Sequence, residues 1–101
     1  MRTSPPVTPW HLWRVDADSF GIQNLGGTTV RRVEVTSEHN EVIMVGSVPR
    51  PALRPYEWFR FVVPRQLQPR LIRVEVRWRS GRVRCSVLID MRPALAQPFL
   101  P

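Results

Sequence analysis

Arginine is the residue type whose spacing most clearly predicts chemistry in this sequence, and it recurs at alternate positions in the stretch IRVEVRWRSGRVRC. Side chains alternate between the two faces of a β-strand, so these arginines are expected on one face of a hairpin. With Ser80-Gly81 as a two-residue loop, Arg79 is expected opposite Arg82. Arg77 is then expected opposite Arg84. Because like charges directly opposite one another destabilise a hairpin, this face is suited to binding carboxylates or phosphates.

No set of residues in the sequence is typical of a catalytic or metal site. His11 and His39 lie in different segments, Cys85 is single, and the absence of lysine excludes Schiff-base chemistry and a phosphate-binding P-loop. Asp16 and Asp18 have the spacing to touch a divalent cation, but aspartate at such positions more often forms a turn. Cys85 falls on an apolar strand face and is expected to pack as a small hydrophobe. We therefore predict a protein that is not an enzyme and needs no cofactor or metal.

The composition predicts one small globular domain with a strongly basic surface. The chain has 101 residues, 15 of them arginine and none lysine, and its net charge is +7. Use of arginine throughout is typical of a GC-rich genome, and the charge attracts nucleic acid or acidic protein surfaces. No apolar stretch approaches the ~18 residues of a membrane span. The first ten residues lack the apolar segment of a secretory signal, so we expect cytoplasmic synthesis without a signal peptide and no membrane partner.

Short alternating segments separated by prolines and glycines predict an all-β fold of about seven short antiparallel strands. The expected strands cover residues 10–15, 20–25, 28–37, 41–46, 56–63 and a hairpin between 72 and 89. Three prolines between 47 and 55 exclude a central strand there, because proline cannot donate to the hydrogen-bond ladder.

The same alternation predicts which side chains face the core. Val33 and Val35 are expected inward, and Val30 is out of phase with them, which indicates a bulge or a strand start. The inward residues of the fifth strand are expected to be Phe59, Phe61 and Val63. Those of the hairpin are expected to be Ile72, Val74, Val76, Trp78, Val83, Cys85, Val87 and Ile89.

Two further stretches resemble bacterial immunoglobulin-like or fibronectin-like domains. They are Ile22-x-Asn24-x-Gly26 and Leu53-x-Pro55-x-Glu57-x-Phe59-x-Phe61. The resemblance covers roughly residues 10–90 and implies an immunoglobulin-like β-sandwich, in which the Asn caps a tight turn and the Leu-Pro pair leads into a core strand. The sequence departs from the pattern at Tyr56, where a glycine is usual.

An immunoglobulin-like strand order would place the third strand beside the first half of the hairpin and so enlarge the basic surface. We call this surface the arginine face, and its expected members are Arg32, Arg73, Arg77, Arg79, Arg82 and Arg84. Glu34 and Glu75 share it, leaving a local excess of four positive charges. Two interpretations stay open: a solvated face, or a site that docks on an acidic partner.

Proline-rich arms are expected on either side of the domain, at residues 1–9 and 91–101. The second arm is more apolar than is usual for a chain end that is exposed to solvent. We expect its apolar side chains to contact a neighbouring protein rather than the domain's own core, and these are Met91, Leu95, Phe99 and Leu100.

These observations predict a structural module that binds an acidic surface of a larger protein assembly. An accessory virion protein, such as a phage head decoration or minor tail protein docked on capsid or tail proteins, is the nearest example. The first alternative is a basic β domain that binds nucleic acid. It is less favoured because Trp78 is expected opposite the arginine face, which leaves no aromatic side chain there for stacking on bases. A weaker third alternative is a ligand-binding module that uses the tryptophans.

Overall fold

The computed structural model of the protein describes residues 9–39, 41–44, 46 and 49–98, with Met44 described by its backbone. This part of the chain forms eight β-strands, a 3₁₀ helix over Arg65–Arg70 and one short helix, α1, over Arg92–Leu95. The strands are β1 (Trp10–Arg14), β2 (Ser19–Asn24), β3 (Val30–Thr36), β4 (Ile43–Met44), β5 (Arg50–Leu53), β6 (Trp58–Val62), β7 (Arg73–Ser80) and β8 (Val83–Asp90).

All strand pairs are antiparallel and fall into two four-stranded sheets, so the all-β prediction is confirmed. The first sheet has the order β1-β2-β6-β4, and the second has the order β5-β3-β7-β8. Buried side chains of both sheets form a single hydrophobic cluster, in which Phe20 and Phe61 of the first sheet stack with their ring centroids 5.7 Å apart. The predicted third-strand position beside the hairpin is confirmed, because β3 pairs with β7.

The described residues form eight strands rather than the seven predicted. The additional strand is β5, which lies in the proline-rich segment where no strand was expected. β5 is at the edge of the second sheet and pairs only with β3. The pairing leaves out Pro51 and Arg32, which lie opposite each other, so the missing proline N–H interrupts no ladder bond at that point. The prolines therefore exclude a central strand, as predicted, and permit an edge strand.

The out-of-phase valine of β3 marks a β-bulge, as the sequence predicts. Val30, Val33 and Val35 are all buried, although they cannot share one face of a regular strand. Against β7 the register shifts between Arg31 and Glu34, and Arg32 has a φ of 53°. The extra residue returns Val33 to the core and gives both ends of β3 a buried face.

The loop of the arginine hairpin lies one residue further along than predicted. Ser80 pairs with Val83, so the two-residue loop is Gly81-Arg82, and Gly81 takes a φ of 61°. A positive φ at the first loop position is the requirement of a type II′ turn, which glycine meets without steric strain. All pairs across the hairpin consequently shift by two residues relative to the prediction, and the residues that β7 and β8 contain stay on their predicted faces.

The prediction of the buried residues of the hairpin is correct for β7 and only partly correct elsewhere. Val74, Val76 and Trp78 are buried, but Ile72 is 62% exposed, because Leu71 fills the core position ahead of the strand. On β8, Val83 is 53% exposed, and the inward residues Cys85, Val87 and Ile89 are half-buried. β7 has a neighbour on each side whereas β8 is an edge strand, which explains the difference.

The segment after β8 packs on the domain, which corrects the expectation for two of the arm residues. Met91 is fully buried and so is not available to a neighbouring protein, and Leu95 is half-buried with its side chain packed against the domain's own core. The Met91 N–H donates to the Ile72 carbonyl at 2.8 Å. Arg14 of β1 donates to the Leu95 carbonyl from its guanidinium at 2.7 Å and to Gln97 Oε1 from its backbone at 2.9 Å. Phe99, Leu100 and residues 1–8 lie outside the described residues.

None of the helical segments in the described ranges is long and apolar enough to cross a membrane.

Candidate interaction site

The strongest concentration of charge in the described residues is a line of arginines that crosses three strands of the second sheet. Arg79 of β7 pairs directly with Arg31 of β3 on one side and with Arg84 of β8 on the other. We call these three residues the arginine row. Adjacent strands lie about 4.8 Å apart, so the backbones of the three arginines lie within a span of roughly 10 Å.

The neighbouring row across the same strands is partly neutralised. Arg77 pairs with Glu34 of β3 and with Ser86 of β8. Its Nε atom also lies 2.6 Å from Oε1 of Glu75, two residues earlier on the same strand and so on the same face. Arg77 thus has carboxylates on two sides.

No such neutralisation occurs in the arginine row. The ion pairs between described residues join Arg77 to Glu75, Arg65 to Asp18 and Arg92 to Asp90. Within the described ranges, no carboxylate lies within 4.0 Å of a nitrogen of Arg31, Arg79 or Arg84. Each like-charged pair opposes folding by a few tenths of a kcal/mol up to about 1 kcal/mol, which a domain of this size tolerates.

The structure brings four of the six predicted members of the arginine face together. Arg32, Arg77, Arg79 and Arg84 surround a shallow, solvent-open depression of about 580 Å³, which Glu34 and Ser86 also line. Arg32 reaches it from the bulge, where its positive φ sets it apart from the regular strand.

The other two predicted members lie away from this group. Arg82 is in the hairpin loop rather than on a strand, because the loop is displaced by one residue. Arg73 lies at the far end of β7, opposite Asp90, which itself forms an ion pair with Arg92. The pKa of the Asp90 carboxyl is lowered to about 2, chiefly by hydrogen bonds from the Arg92 side chain and backbone.

Arg31 is a member of the site that sequence reasoning missed. Regular alternation puts Arg31 on the core side of β3 whenever Val33 and Val35 face inward. The bulge at Arg32 reverses the alternation, so Arg31 is exposed opposite Arg79. The out-of-phase Val30 was the available signal, because a bulge that turns Val30 inward must also turn Arg31 outward.

Aromatic side chains lie away from the arginine row. Trp78 is buried on the opposite face of β7 and meets Trp10 edge to face, with ring centroids 5.3 Å apart. The remaining tryptophans, Trp13 and Trp58, contact each other on the first sheet at 5.0 Å, and His11 stacks on Trp13 at 5.1 Å. The described part of the second sheet's outer face therefore carries arginines without aromatic neighbours.

Trp13 lies across β2 because the residue beneath it has no side chain. A Cβ atom on Gly21 would fall 2.4 Å from the indole of Trp13, far inside van der Waals contact. The glycine therefore lets an aromatic residue of β1 reach Trp58 of β6. This arrangement covers the backbone of the first sheet and accounts for two of the four tryptophans by packing.

The residues weighed for catalysis or metal binding have structural partners. Asp16 Oδ1 accepts hydrogen bonds from the Asp18 N–H (2.9 Å), the Ser19 N–H (2.8 Å) and Ser19 Oγ (2.7 Å), so the turn interpretation is confirmed. These bonds, with that from Ser19 Oγ the largest, lower the pKa of Asp16. Cys85 is half-buried, and its thiol lies 3.8 Å from the Val83 carbonyl. In the described ranges, no three His, Cys, Asp or Glu residues are grouped so as to hold a metal ion.

A buried carboxylate outside the arginine face is satisfied locally. Glu41 is buried and accepts from Ser37 Oγ at 2.5 Å and from the His39 N–H at 3.0 Å, while its own N–H donates to Ser37 Oγ. Burial, the largest single effect, raises the pKa of Glu41, but the hydrogen bonds, beginning with that from Ser37, together lower it. Glu41 therefore closes the loop that follows β3.

No family model matches the chain, and searches of curated proteins and of solved structures found no match either.

Proposed function

We propose that the chain is a non-enzymatic interaction module with an immunoglobulin-like β-sandwich, which docks on an acidic surface of a larger protein assembly through its arginines. The strand order supports the fold assignment. In constant-type immunoglobulin domains, strands A, B, E and D form one sheet and C, F and G the other. Here β1, β2, β6 and β4 form one sheet, and β3, β7 and β8 belong to the other, with β5 added beside β3.

Contacts at the two family-like stretches also support this fold. The Asn24 side chain accepts from the Gly26 N–H at 2.8 Å and donates to the carbonyls of Thr28 and Leu53, both at 3.0 Å. It thereby caps a tight turn and ties the end of β2 to the end of β5. Tyr56 has a φ of 68°, the left-handed conformation for which glycine is the usual residue.

The docking proposal is carried by one observation, the unneutralised arginine row. Three arginines from three adjacent strands lie side by side, and no carboxylate of the described chain lies within 4.0 Å of their guanidinium nitrogens, although Glu34 lines the same depression. A row of this kind becomes favourable once a partner supplies carboxylates, because arginine binds carboxylate through two parallel hydrogen bonds. The sheet fixes the backbone positions of the three arginines, so their side chains leave the same region of the surface before the partner binds.

An acidic protein surface fits this row better than nucleic acid does. Proteins that bind single strands without sequence preference place aromatic side chains among the basic ones, so that bases stack on them. Here the aromatic residues Trp13 and Trp58 are on the other sheet, and Trp78 is buried. The nearest example of such a module is an accessory virion protein, a phage head decoration or minor tail protein held on capsid or tail proteins.

Purification of the chain from its native source tests the proposal. We expect it to co-sediment with a protein assembly whose contact surface is acidic, and to stay bound after nuclease treatment. We also expect duplex DNA to bind only weakly near 0.15 M salt, since non-specific phosphate contacts weaken as salt rises. Co-purification with nucleic acid that nuclease abolishes would instead support the nucleic-acid alternative.

A further inference from the structure

The outer edge of β8 is the longest unpaired strand edge in the described chain. β8 runs over Val83–Asp90 at the end of the second sheet, with β7 on one side and no described strand on the other. It contains no proline, lysine or glycine and has no bulge against β7. Proline, lysine and bulges are among the features that protect natural edge strands from pairing with another chain; of the charged side chains that also protect them, β8 carries Arg84 and Asp90.

The backbone groups that face this open edge follow from the hairpin. The pair that flanks a two-residue loop is hydrogen-bonded, and bonded and non-bonded pairs then alternate along the ladder. Val83 is in the flanking pair, so the odd-numbered residues of β8 bond to β7. The Met91 N–H, which donates to the Ile72 carbonyl at 2.8 Å, continues the same alternation. The N–H and C=O groups of Arg84, Ser86, Leu88 and Asp90 therefore point outward.

The apolar side chains of the edge strand β8 are more exposed than those of β7, which has a neighbouring strand on each side. Cys85, Val87 and Ile89 face the core but are only half-buried, whereas Val74 and Val76 on the adjacent strand are fully buried. On the outer face Leu88 is 56% exposed. A strand added at this edge would cover apolar surface on both faces of the sheet.

We propose that the strand added at this edge is β8 of a second copy of this chain, paired antiparallel about a twofold axis at Val87. Only registers that oppose even-numbered residues bond the free groups of both copies. The register centred on Val87 opposes Arg84 with Asp90 of the second copy, twice by symmetry. It also opposes Ser86 with Leu88, and it brings the two copies of Leu88 together on the diagonal.

The charged side chains of β8 favour this register over registers centred on neighbouring residues. They also favour β8 of a second copy over a strand without this charge pattern. Arg84 forms no ion pair within the described chain, and Asp90, which is exposed and pairs with Arg92, lies at the other end of the same strand. Centring the pair on Ser86 would oppose Arg84 with Leu88, and centring it on Cys85 would oppose Arg84 with Ser86. The register at Val87 alone neutralises the edge arginine. The inference does not depend on the proposed docking function.

Sedimentation velocity over a range of concentrations tests the proposal. We expect the full chain to dimerise reversibly and Ser86→Pro to remain monomeric. The proline removes an N–H that faces the open edge and places its ring against the incoming strand, while the ladder between β7 and β8 is kept. Circular dichroism checks that the variant is folded. A wild-type chain that stays monomeric at millimolar concentration overturns the proposal.

A charge reversal provides a second test that does not rely on proline. Arg84→Glu places a carboxylate opposite Arg79 within the chain and opposite Asp90 across the dimer. We expect the melting temperature of the monomer not to fall, and the Kd of the dimer to rise about tenfold, because both symmetric pairs become repulsive. Arg79→Glu is the matched control: it relieves the same repulsion one strand away from the edge and should leave the Kd within about threefold. Equal effects of the two reversals overturn the proposal.

Cysteine cross-linking under mild oxidation reports the register. Val87→Cys in a Cys85→Ser background should form an intermolecular disulfide, because the two Cα atoms of this non-hydrogen-bonded pair lie about 4.5 Å apart. Cys85 of the wild-type chain should not, because the two copies of residue 85 are offset by about 13 Å along the strands. Cross-linking through Cys85 with none through the introduced thiol overturns the register. If the chain dimerises only after removal of residues 1–8, the proposal of a second copy as the partner is overturned. In that case the chain's own N-terminal segment is the strand that pairs with the edge of β8.

Discussion

At the scale of single residues, backbone conformations that are unusual for non-glycine residues occur where the fold contains a bulge or a tight turn. Arg32 and Tyr56 are the non-glycine residues with positive φ in the described chain, at 53° and 68°. Arg32 forms the bulge that exposes Arg31, and Tyr56 donates its N–H to the Asn24 carbonyl at 2.6 Å beside the capped turn. Both conformations cost free energy that packing and hydrogen bonds must offset.

Tyr56→Gly tests whether the tyrosine is strained. Left-handed backbone costs a non-glycine residue about 1–2 kcal/mol, and glycine's greater freedom in the unfolded chain offsets roughly 0.5–1 kcal/mol of the gain. Since Tyr56 is exposed, we expect the variant to be as stable as the wild type or more stable by up to about 1 kcal/mol in denaturant unfolding. Tyr56→Ala, which loses the ring but keeps a Cβ, is the control and should not be stabilised. A loss of stability in the glycine variant larger than in the alanine variant would contradict this account.

Asp16 gives a prediction about pH. Its folded-state pKa is lowered from the ordinary value of 3.8 by hydrogen bonds, first from Ser19 Oγ and then from the Asp18 N–H. A lowered pKa stabilises the folded state above the unfolded pKa, and this contribution is lost as pH falls through the folded pKa. Thermal melts from pH 6 to pH 2 should therefore show a larger fall for the wild type than for Asp16→Asn below about pH 4. Parallel curves for the two proteins would contradict it.

At the scale of elements, the sequence predicts strand faces better than strand ends. Alternation alone identified the buried residues Val74, Val76, Phe59 and Phe61, and the phase error at Val30 indicated a bulge or a strand start, both of which occur there. The hairpin loop was misplaced because Ser80-Gly81 and Gly81-Arg82 both contain the glycine that such a loop requires. Only the backbone conformation decides between them: the residue with positive φ comes first in a type II′ turn.

One element was missed and one was assigned wrongly, because their environment is not local. The prolines correctly excluded a central strand, but the edge strand β5 was not predicted, because one side of an edge strand needs no donors. Met91 was assigned to a neighbouring protein, whereas it completes the core beside α1. In both cases the tertiary arrangement determines the outcome, and no periodic signal in the sequence carries it.

A pair of substitutions in β7 tests the register of the central strands. Val76 is fully buried, so Val76→Asp places an unpaired charge in the core and should destabilise the domain by more than about 3 kcal/mol or unfold it. Arg77→Asp, one residue along and exposed, should leave the domain folded with a change of less than about 1 kcal/mol. Circular dichroism with thermal unfolding measures both. The reverse order of effects would mean that the strand faces are exchanged.

At the scale of the whole molecule, the two sheets present different surfaces. The outer face of the second sheet carries the arginine row, and on the first sheet Trp13 contacts both Trp58 and His11, with the exposed Arg60 in the same row of residues as Trp13. The positive charge of the arginine row attracts acidic partners to the second sheet. We therefore assign the docking function to the arginine row. Arginine substitutions elsewhere in the molecule can serve as controls that change the net charge by the same amount.

The most direct measurement of the central claim compares two triple variants for incorporation into the co-sedimenting assembly. The first, Arg31→Glu with Arg79→Glu and Arg84→Glu, reverses the arginine row. The second reverses three exposed arginines elsewhere, Arg54, Arg60 and Arg70, and changes the net charge by the same amount. With both variants folded by circular dichroism, we predict that only the first is lost from the assembly, because it removes the groups that bind carboxylates. Equal loss of both variants, or retention of the first, would contradict the account.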